Sequence, residues 1–386
     1  MVFVELVING IVQGSLLGIV CIGYSLAYGS AKVINFAHAD VLIVGGAYLV
    51  LLFFDGPVFP DLTVIGMASL FSLSVIITSW PWSIECSSNN KQKLSSFTLG
   101  IISFSLISIC AGKLNFVTAF ILSIPFTSFL ATSVFRIGYD PLIKKEAPRT
   151  SILLSALGFS IALESFMLVL WGSSRRIFPT EKLPTLFVVK NIPDHTNSIQ
   201  SILNSGQFFI TQNITIPIYD IIIVIVFVVL LLAINLFFKR SIIAHKIIAA
   251  ADSKIAARTC GINVSKSFSI AFLIGGALAS IGGTLFILRT NTIYPTAGFS
   301  LGIIAFLACV VGGIGSIRGS VAGAFLVSFI LSLSPMIPLE EMVLPLVSPS
   351  VAKYLPSLNP SDWSYAFVYL LVIFTILVKP KGMFTK

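Results

Sequence analysis

The sequence is poor in charge. Only 10% of its 386 residues are Asp, Glu, Lys or Arg, against roughly 25% in a soluble globular domain. That shortage excludes an ordinary soluble enzyme or binding module. Histidine is scarce too: His38, His195 and His245 lie far apart in sequence, so no metal site or catalytic triad is legible, and His-Glu-x-x-His is absent. The five cysteines, Cys21, Cys86, Cys110, Cys260 and Cys309, are odd in number and contain no Cys-x-x-Cys pair. Three of them lie in apolar runs, where the thiol serves as a small buried hydrophobe. Neither a disulfide framework nor a metal site is expected. A nucleotide-binding loop needs a glycine-rich turn ending in Gly-Lys-Ser/Thr. The nearest approach, Gly261-Ile-Asn-Val-Ser-Lys266-Ser267, lacks the second glycine. No resident cofactor and no self-contained ATPase are expected. Gly/Ser linkers, charged tails and low-complexity blocks are missing, so residues 1–386 read as one domain.

What is present is hydrocarbon. The chain is 56% hydrophobic, with a mean hydropathy of +1.01. About 20 apolar residues suffice to cross a bilayer as a helix. Runs of that size fall near 4–29, 37–54, 62–80, 97–112, 114–135, 150–171, 217–238, 267–288, 299–316, 319–334 and 363–379. They are continuous rather than alternating, which indicates helices and not barrel strands. The fold class is therefore all-α, a polytopic transmembrane bundle of about 9–11 spans. Glu5 and the long first run argue against a cleavable signal.

The net charge is +9. No basic helix with stacking aromatics accompanies it, so nucleic acid is not expected as a partner. The cations lie instead in short loops: Arg136 to Arg149, the segment 239–266 with Lys246, Lys254 and Arg258, and the tail from Lys379. The positive-inside rule makes these cytoplasmic, which puts the N-terminus outside and the C-terminus in the cytoplasm. Asp55, Asp61, Glu340, Glu341 and Asp362 then fall in outer loops. Arg175, Arg176, Lys182 and Lys190 lie against the rule, in a long outer loop.

Three segments carry polar or glycine-rich chemistry. Asn35-Phe36-Ala-His38-Ala-Asp40 sets polar groups between two spans. It is either a wet interfacial loop or part of a solute path, because ionisable groups at membrane depth are costly. Asp252 to Asn263, with the small residues Ala256 and Ala257 and the helix-ending Gly261, is either a solvated connecting helix or a docking helix. Gly312-Gly313-Ile-Gly315-Ser316, followed by Gly319, is either close packing or a moving hairpin. Glu164 lies inside the sixth span, paired across the bundle or lining a path. Arg289, at a span end, is expected to snorkel.

In order, these segments resemble the permease subunit of ABC importers for branched-chain amino acids, the type that pairs with a second, related permease. Residues 35–40 resemble its Asn-Phe-Ala-His-Gly-Glu signature, with Ala39 for Gly and Asp40 for Glu. Asp140-Pro-Leu142 and Ser155-Ala-Leu-Gly158 resemble its Arg-Pro-Leu and Ser-Ala-Ile-Gly stretch. Asp252 to Asn263 resembles its coupling segment, 312–319 its Gly-Gly-Ile-Gly-Ser hairpin, and Lys379-Pro-Lys-Gly382 its closing Arg-Pro-x-Gly. The likeness covers about residues 10–55 and 135–386. Residues 55–135 hold what look like two extra spans, and Glu164 stands where the family usually has an uncharged amide.

The resemblance implies import of Leu, Ile or Val across a bacterial inner membrane. It implies as partners a second permease subunit, cytoplasmic ATP-binding subunits on 239–266 and an extracytoplasmic solute-binding protein, with ATP bound by the partner. Asn35, Phe36, His38, Asp40 and Glu164 are the path candidates. Rival readings are a permease for urea, short amides or another small polar solute, a secondary transporter coupled through Glu164, and a membrane-embedded enzyme or assembly factor.

Overall fold

The computed structural model describes residues 2–56, 60–80, 90–183, 207–211, 214–337, 363–379 and 382–384. Glu340, Glu341, Asp362, Cys86, Lys190, His195, Pro380 and Lys381 lie outside the described residues.

Every expected apolar run is a helix. In chain order they are α1 (Val2–Ala31), α2 (Ala37–Phe54), α3 (Pro60–Ser79), α4 (Asn90–Cys110), α5 (Phe116–Lys144) and α6 (Arg149–Trp171). A short strand β1 (Arg176–Ile177) and a hairpin of β2 (Gln207–Thr211) and β3 (Ile214–Pro217) follow. Then come α7 (Ile218–Arg240), α8 (Ile242–Asp252), α9 (Lys254–Thr259), α10 (Val264–Thr290), β4 (Thr292–Ile293), α11 (Ala297–Gly312), α12 (Ile317–Leu333) and α13 (Ser364–Val378). Among the described residues, nine helices are long and apolar enough to cross a membrane, and α11 and α13 are shorter apolar helices. The all-α transmembrane bundle is thus observed.

The helix ends follow local chemistry. Lys32, at φ +56°, stops α1. Ser241, Ser253, Asn263 and Ser316 each accept a backbone N–H at the start of α8, α9, α10 and α12. Such side-chain caps satisfy amides that have no intrahelical acceptor.

Every residue of α2 is buried, so this helix is the axis of the bundle. α10, α5, α6, α11 and α1 pack round it. Its middle, Leu42–Tyr48, is wound as a π-helix. There α10 reaches backbone contact: a Cβ on Gly283 would lie 2.9 Å from Gly46 Cα, and one on Gly46 would lie 2.8 Å from Gly283 Cα. Thr284 Oγ1 donates to the Gly46 carbonyl at 2.9 Å. Small residues let membrane helices approach this closely, and dispersion and hydrogen bonds then hold them.

The outside of the bundle is equally apolar. On α7, Ile225, Val229, Leu232 and Leu236 are exposed at helical spacing, as lipid-facing residues are. Residues 55–135 divide in two. α3 and α4 pack on each other at the periphery, whereas α5 is built into the core against α10 and α2. Arg136 fastens the periphery to the core by donating to the carbonyls of Ile77 and Thr78 at the end of α3.

Arg289 does not snorkel. It pairs with Asp220 at 2.6 Å and donates to Asn9 at 3.2 Å. Of the cations expected in an outer loop against the charge rule, the three among the described residues are engaged as well. Lys182 pairs with Asp55. Arg175 stands over the Tyr294 ring at 5.0 Å and Arg176 over Trp171 at 5.8 Å.

Candidate functional site

The signature segment is not a wet loop. Asn35, His38 and Asp40 are 4%, 2% and 2% exposed, and only Lys32 before them is exposed. Asn35 lies in the break after α1, where Tyr139 Oη donates to its Oδ1 at 2.7 Å. Phe36 is half-buried and packs on Phe306 of α11, ring centroids 5.2 Å apart. His38 meets Tyr24 of α1 edge-on at 5.1 Å. Gly23 makes room for the imidazole, since a Cβ there would collide with it. Asp40 accepts a hydrogen bond from Ser160 on α6. Glu164 lies one turn further along α6 and is half-buried.

The cluster is incompletely satisfied. His38 Nε2, Asp40 Oδ1 and Tyr24 Oη are buried without a hydrogen-bond partner among the described residues. Buried polar groups are normally paired, and each one left open costs about 1–3 kcal/mol. Three together, around an acid at membrane depth, leave hydrogen-bonding capacity that ordered water or a polar solute would meet.

Two further features escaped the sequence reading. The first is the floor of the cluster. Gly298 and Gly302 of α11, one turn apart, face Asp40 and Tyr24: added Cβ atoms would strike Asp40 at Gly298 and approach Tyr24 Oη to 3.1 Å at Gly302. Gly298-Phe-Ser300-Leu-Gly302 also has the spacing of a nucleophile elbow. An elbow needs a strand-to-helix turn, and here Ser300 sits inside a helix and bonds the Ala297 carbonyl at 3.1 Å. The second is a stripe on α6. Ser160, Glu164, Met167 and Trp171 recur at i, i+4, i+7 and i+11, and the Trp171 ring packs on Tyr48 of α2 at 5.0 Å. Residues at such spacing share one helix face, so the α2–α6 seam carries both the acids and this aromatic pair.

The remaining predicted segments gather at one end of the molecule. A cavity of about 550 Å³ is lined by Lys32, Asn235, Asp252, Gly315 and Arg318. It joins the end of α1, three residues before the signature, to the start of the coupling segment and to the hairpin. Asp140 accepts from Ser265 at 2.7 Å and pairs with Lys144 at 2.6 Å, which adds the start of α10 and the end of α5.

In the segment 239–266, Asp252, Ala256 and Gly261 are exposed and Ala257 is buried. Gly261, at φ +75°, ends α9 as expected of it. Ile255 is 77% exposed, so α9 shows an uncovered apolar and small-residue face. In the hairpin, Gly313 and Gly315 have φ of +110° and +91°. Gly312 and Gly319 are in contact: a Cβ on Gly319 would lie 2.5 Å from the Gly312 carbonyl oxygen. That geometry supports the packing reading. The tail docks on the same hairpin, with Met383 N–H donating to Val311 O at 2.9 Å. The glycine motif and the closing Lys379–Gly382 motif thus form one feature.

No group of three His, Cys, Asp or Glu among the described residues could cage a metal. Cys21 and Cys309 are buried, Cys110 is half-buried and Cys260 is exposed, all as free thiols.

Residues 6–376 match the family described as branched-chain amino acid transport system / permease component. The chain belongs to this family. It is a multi-pass membrane protein. The family match runs through residues 55–135 without a break in its bounds. The permease is 28% identical to the high-affinity branched-chain amino acid transport system permease protein BraD of Pseudomonas aeruginosa, over 84% of this chain and 83% of that one. It is 26% identical to the corresponding protein LivH of Escherichia coli K12, over 86% of each chain. A 95-residue segment is 34% identical to the xylose transport system permease protein XylH of the same organism, over 23% of this chain and 24% of that one. No solved structure matches the permease.

Proposed function

We propose that the chain is the membrane-spanning subunit of an ABC importer that moves Leu, Ile or Val inward across a bacterial inner membrane. ATP is hydrolysed on a separate cytoplasmic subunit that docks on 239–266. A second, related permease completes the path, and an extracytoplasmic binding protein delivers the solute. Family membership over 6–376 supports the class of transporter. The similarity to BraD and LivH supports the substrate.

The observation that carries a role for the signature is the buried, unpartnered set of His38 Nε2, Asp40 Oδ1 and Tyr24 Oη. Asp40 and Glu164 present carboxylates to a substrate ammonium. Phe36 and the apolar helix faces suit a branched side chain. Clustering of the cations at the end that bears 239–266 supports a cytoplasmic C-terminus. Coupling then runs through the shared cavity: a push on α8 and α9 reaches Lys32, and with it the signature, and Arg318 beside the hairpin. An ATPase can drive such a change only if its nucleotide states favour different conformations of this chain.

The test is labelled-leucine uptake by the reconstituted assembly. Asn35→Ala and His38→Ala should each depress uptake at normal protein levels. Wild-type rates in both would remove these residues from the path.

One observation favours a second reading. Asp40 is held by Ser160, and Glu164 stands one turn further along α6, so two acids share the α2–α6 seam at membrane depth, as in a proton-linked secondary transporter. Leucine flux that needs a pH gradient and no ATPase would select that reading.

A further inference from the structure

A second set of unsatisfied polar atoms lies away from the signature, at the opposite end from the basic cavity. Tyr48 Oη, Trp171 Nε1 and Arg176 Nε are all buried with no hydrogen-bond partner among the described residues. They come from three elements: the π-wound middle of α2, the last residue of α6, and β1, which pairs with β4 beyond the end of α10. Trp171 packs on Tyr48 at 5.0 Å, and the Arg176 guanidinium stands 5.8 Å from the Trp171 ring centre.

The chemistry of the three is one-sided. An indole N–H and a guanidinium N–H can only donate, and a phenol can donate. The ion pairs among the described residues, Lys144–Asp140, Lys182–Asp55 and Arg289–Asp220, leave Arg176 out. The guanidinium stands over the Trp171 ring, and its Nε–H has no acceptor among the described residues. An aromatic belt residue would face lipid headgroups, yet Trp171 is 2% exposed and Tyr48 is 0% exposed. Interfacial anchoring therefore does not explain them. What three converging donors lack is an anion with two oxygens. Among the described residues nothing lies within 4 Å of the place a Cβ on Gly172, at φ +76°, would take, so they leave space beside Trp171.

The place of this set in the fold points to the anion. Tyr48 lies eight residues beyond Asp40 on α2, two turns further along the same helix. Trp171 continues the α6 stripe that begins at Ser160 and Glu164. One helix seam thus offers donors at its outer end and carboxylates at mid-span, the two complements of an amino-acid zwitterion met in sequence. We propose that Tyr48, Trp171 and Arg176 form an outer-end site that takes the carboxylate of the amino acid before its ammonium reaches Asp40 and Glu164. This deepens the importer reading and rests on it for the identity of the solute.

The test uses full-length chain in lipid nanodiscs, with Trp80, Trp82 and Trp363 replaced by Phe so that Trp171 alone emits. The probes are leucine, 4-methylpentanoate (carboxylate, no ammonium), leucinol (ammonium, no carboxylate) and inorganic phosphate. Leucine and 4-methylpentanoate should change the emission saturably, and leucinol and phosphate should not. Arg176→Gln should abolish saturation. Tyr48→Phe, which removes one oxygen and no packing, should weaken it about tenfold, the size of one hydrogen bond to a charged group.

An equal response to leucinol, a phosphate response as strong as that to 4-methylpentanoate, retained saturation in both variants, or no response to any probe would each overturn the site. The importer reading is scored separately, by leucine uptake in the wild-type assembly. Uptake without a Trp171 response sinks the carboxylate site alone. A carboxylate response without uptake sinks the importer reading and leaves an anion site in place.

Discussion

Asp40 shows how much one residue's setting decides. As sequence it was an acid between two spans, equally suited to solvent or to a path. In the fold it is buried, held by Ser160 on one oxygen and unpartnered on the other. Asp40→Asn keeps the shape and can still accept from Ser160, but it removes the charge. It should cut leucine kcat/KM by roughly ten- to a hundredfold, the ~1.5–3 kcal/mol of a hydrogen bond to a charged group. Uptake kinetics at matched protein levels check this, and an unchanged kcat/KM would exclude Asp40 from substrate contact.

Glycines divide by the same test of surroundings. Gly283→Ala should cost about 1–3 kcal/mol by overpacking against Gly46, read as a lower unfolding temperature in detergent. Gly158, in the Ser155-Ala-Leu-Gly158 stretch, has nothing within 4 Å of its added Cβ. Gly158→Ala should be neutral or stabilising by about 0.5–1 kcal/mol, because alanine loses less backbone freedom in a helix.

At the scale of elements, the helices were legible and their faces were not. A run of some 20 apolar residues announces a span whatever it packs against. It does not say which side meets protein. On α7, Ile223, Phe227 and Ile234 are buried while Ile225, Val229 and Leu232 are exposed, and all are aliphatic or aromatic. In water the polar face of a helix would reveal the difference; in lipid both faces are apolar. The α2–α6 seam was hidden for a second reason. Tyr48 and Trp171 are far apart in sequence, and neither the π-winding of α2 nor the pairing has a local signal.

Gly261 was legible, because a helix stop in the left-handed region is a one-residue property. Its φ of +75° also sets a prediction. Gly261→Val, a β-branched residue forced into that region, should release the end of α9 and weaken pull-down of the ATPase subunit. Gly261→Asn, which tolerates the conformation, should retain it. Equal binding by both variants would show that this helix end does not shape the docking face.

For the whole molecule, orientation ties the pieces together. Lys32, Arg149, the segment 239–266 and the hairpin at Arg318 share one end, and the paired Lys182–Asp55 and Arg289–Asp220 belong to the other. Among the described residues Cys260 is the exposed free thiol, at the basic end next to Gly261, and the labelling is done with Cys86 replaced by Ser. An impermeant maleimide should label Cys260 in inverted membrane vesicles and not in right-side-out ones; the reverse would invert the topology and detach the coupling segment from any cytoplasmic ATPase.

The measurement that decides the functional reading is labelled-leucine uptake in proteoliposomes holding this chain with the proposed second permease, ATPase subunits and binding protein. Uptake should require internal or external ATP on the side that bears 239–266, and should be lost with Asp40→Asn. Leucine entering at the same rate without ATP or without the ATPase subunits would contradict an ABC importer.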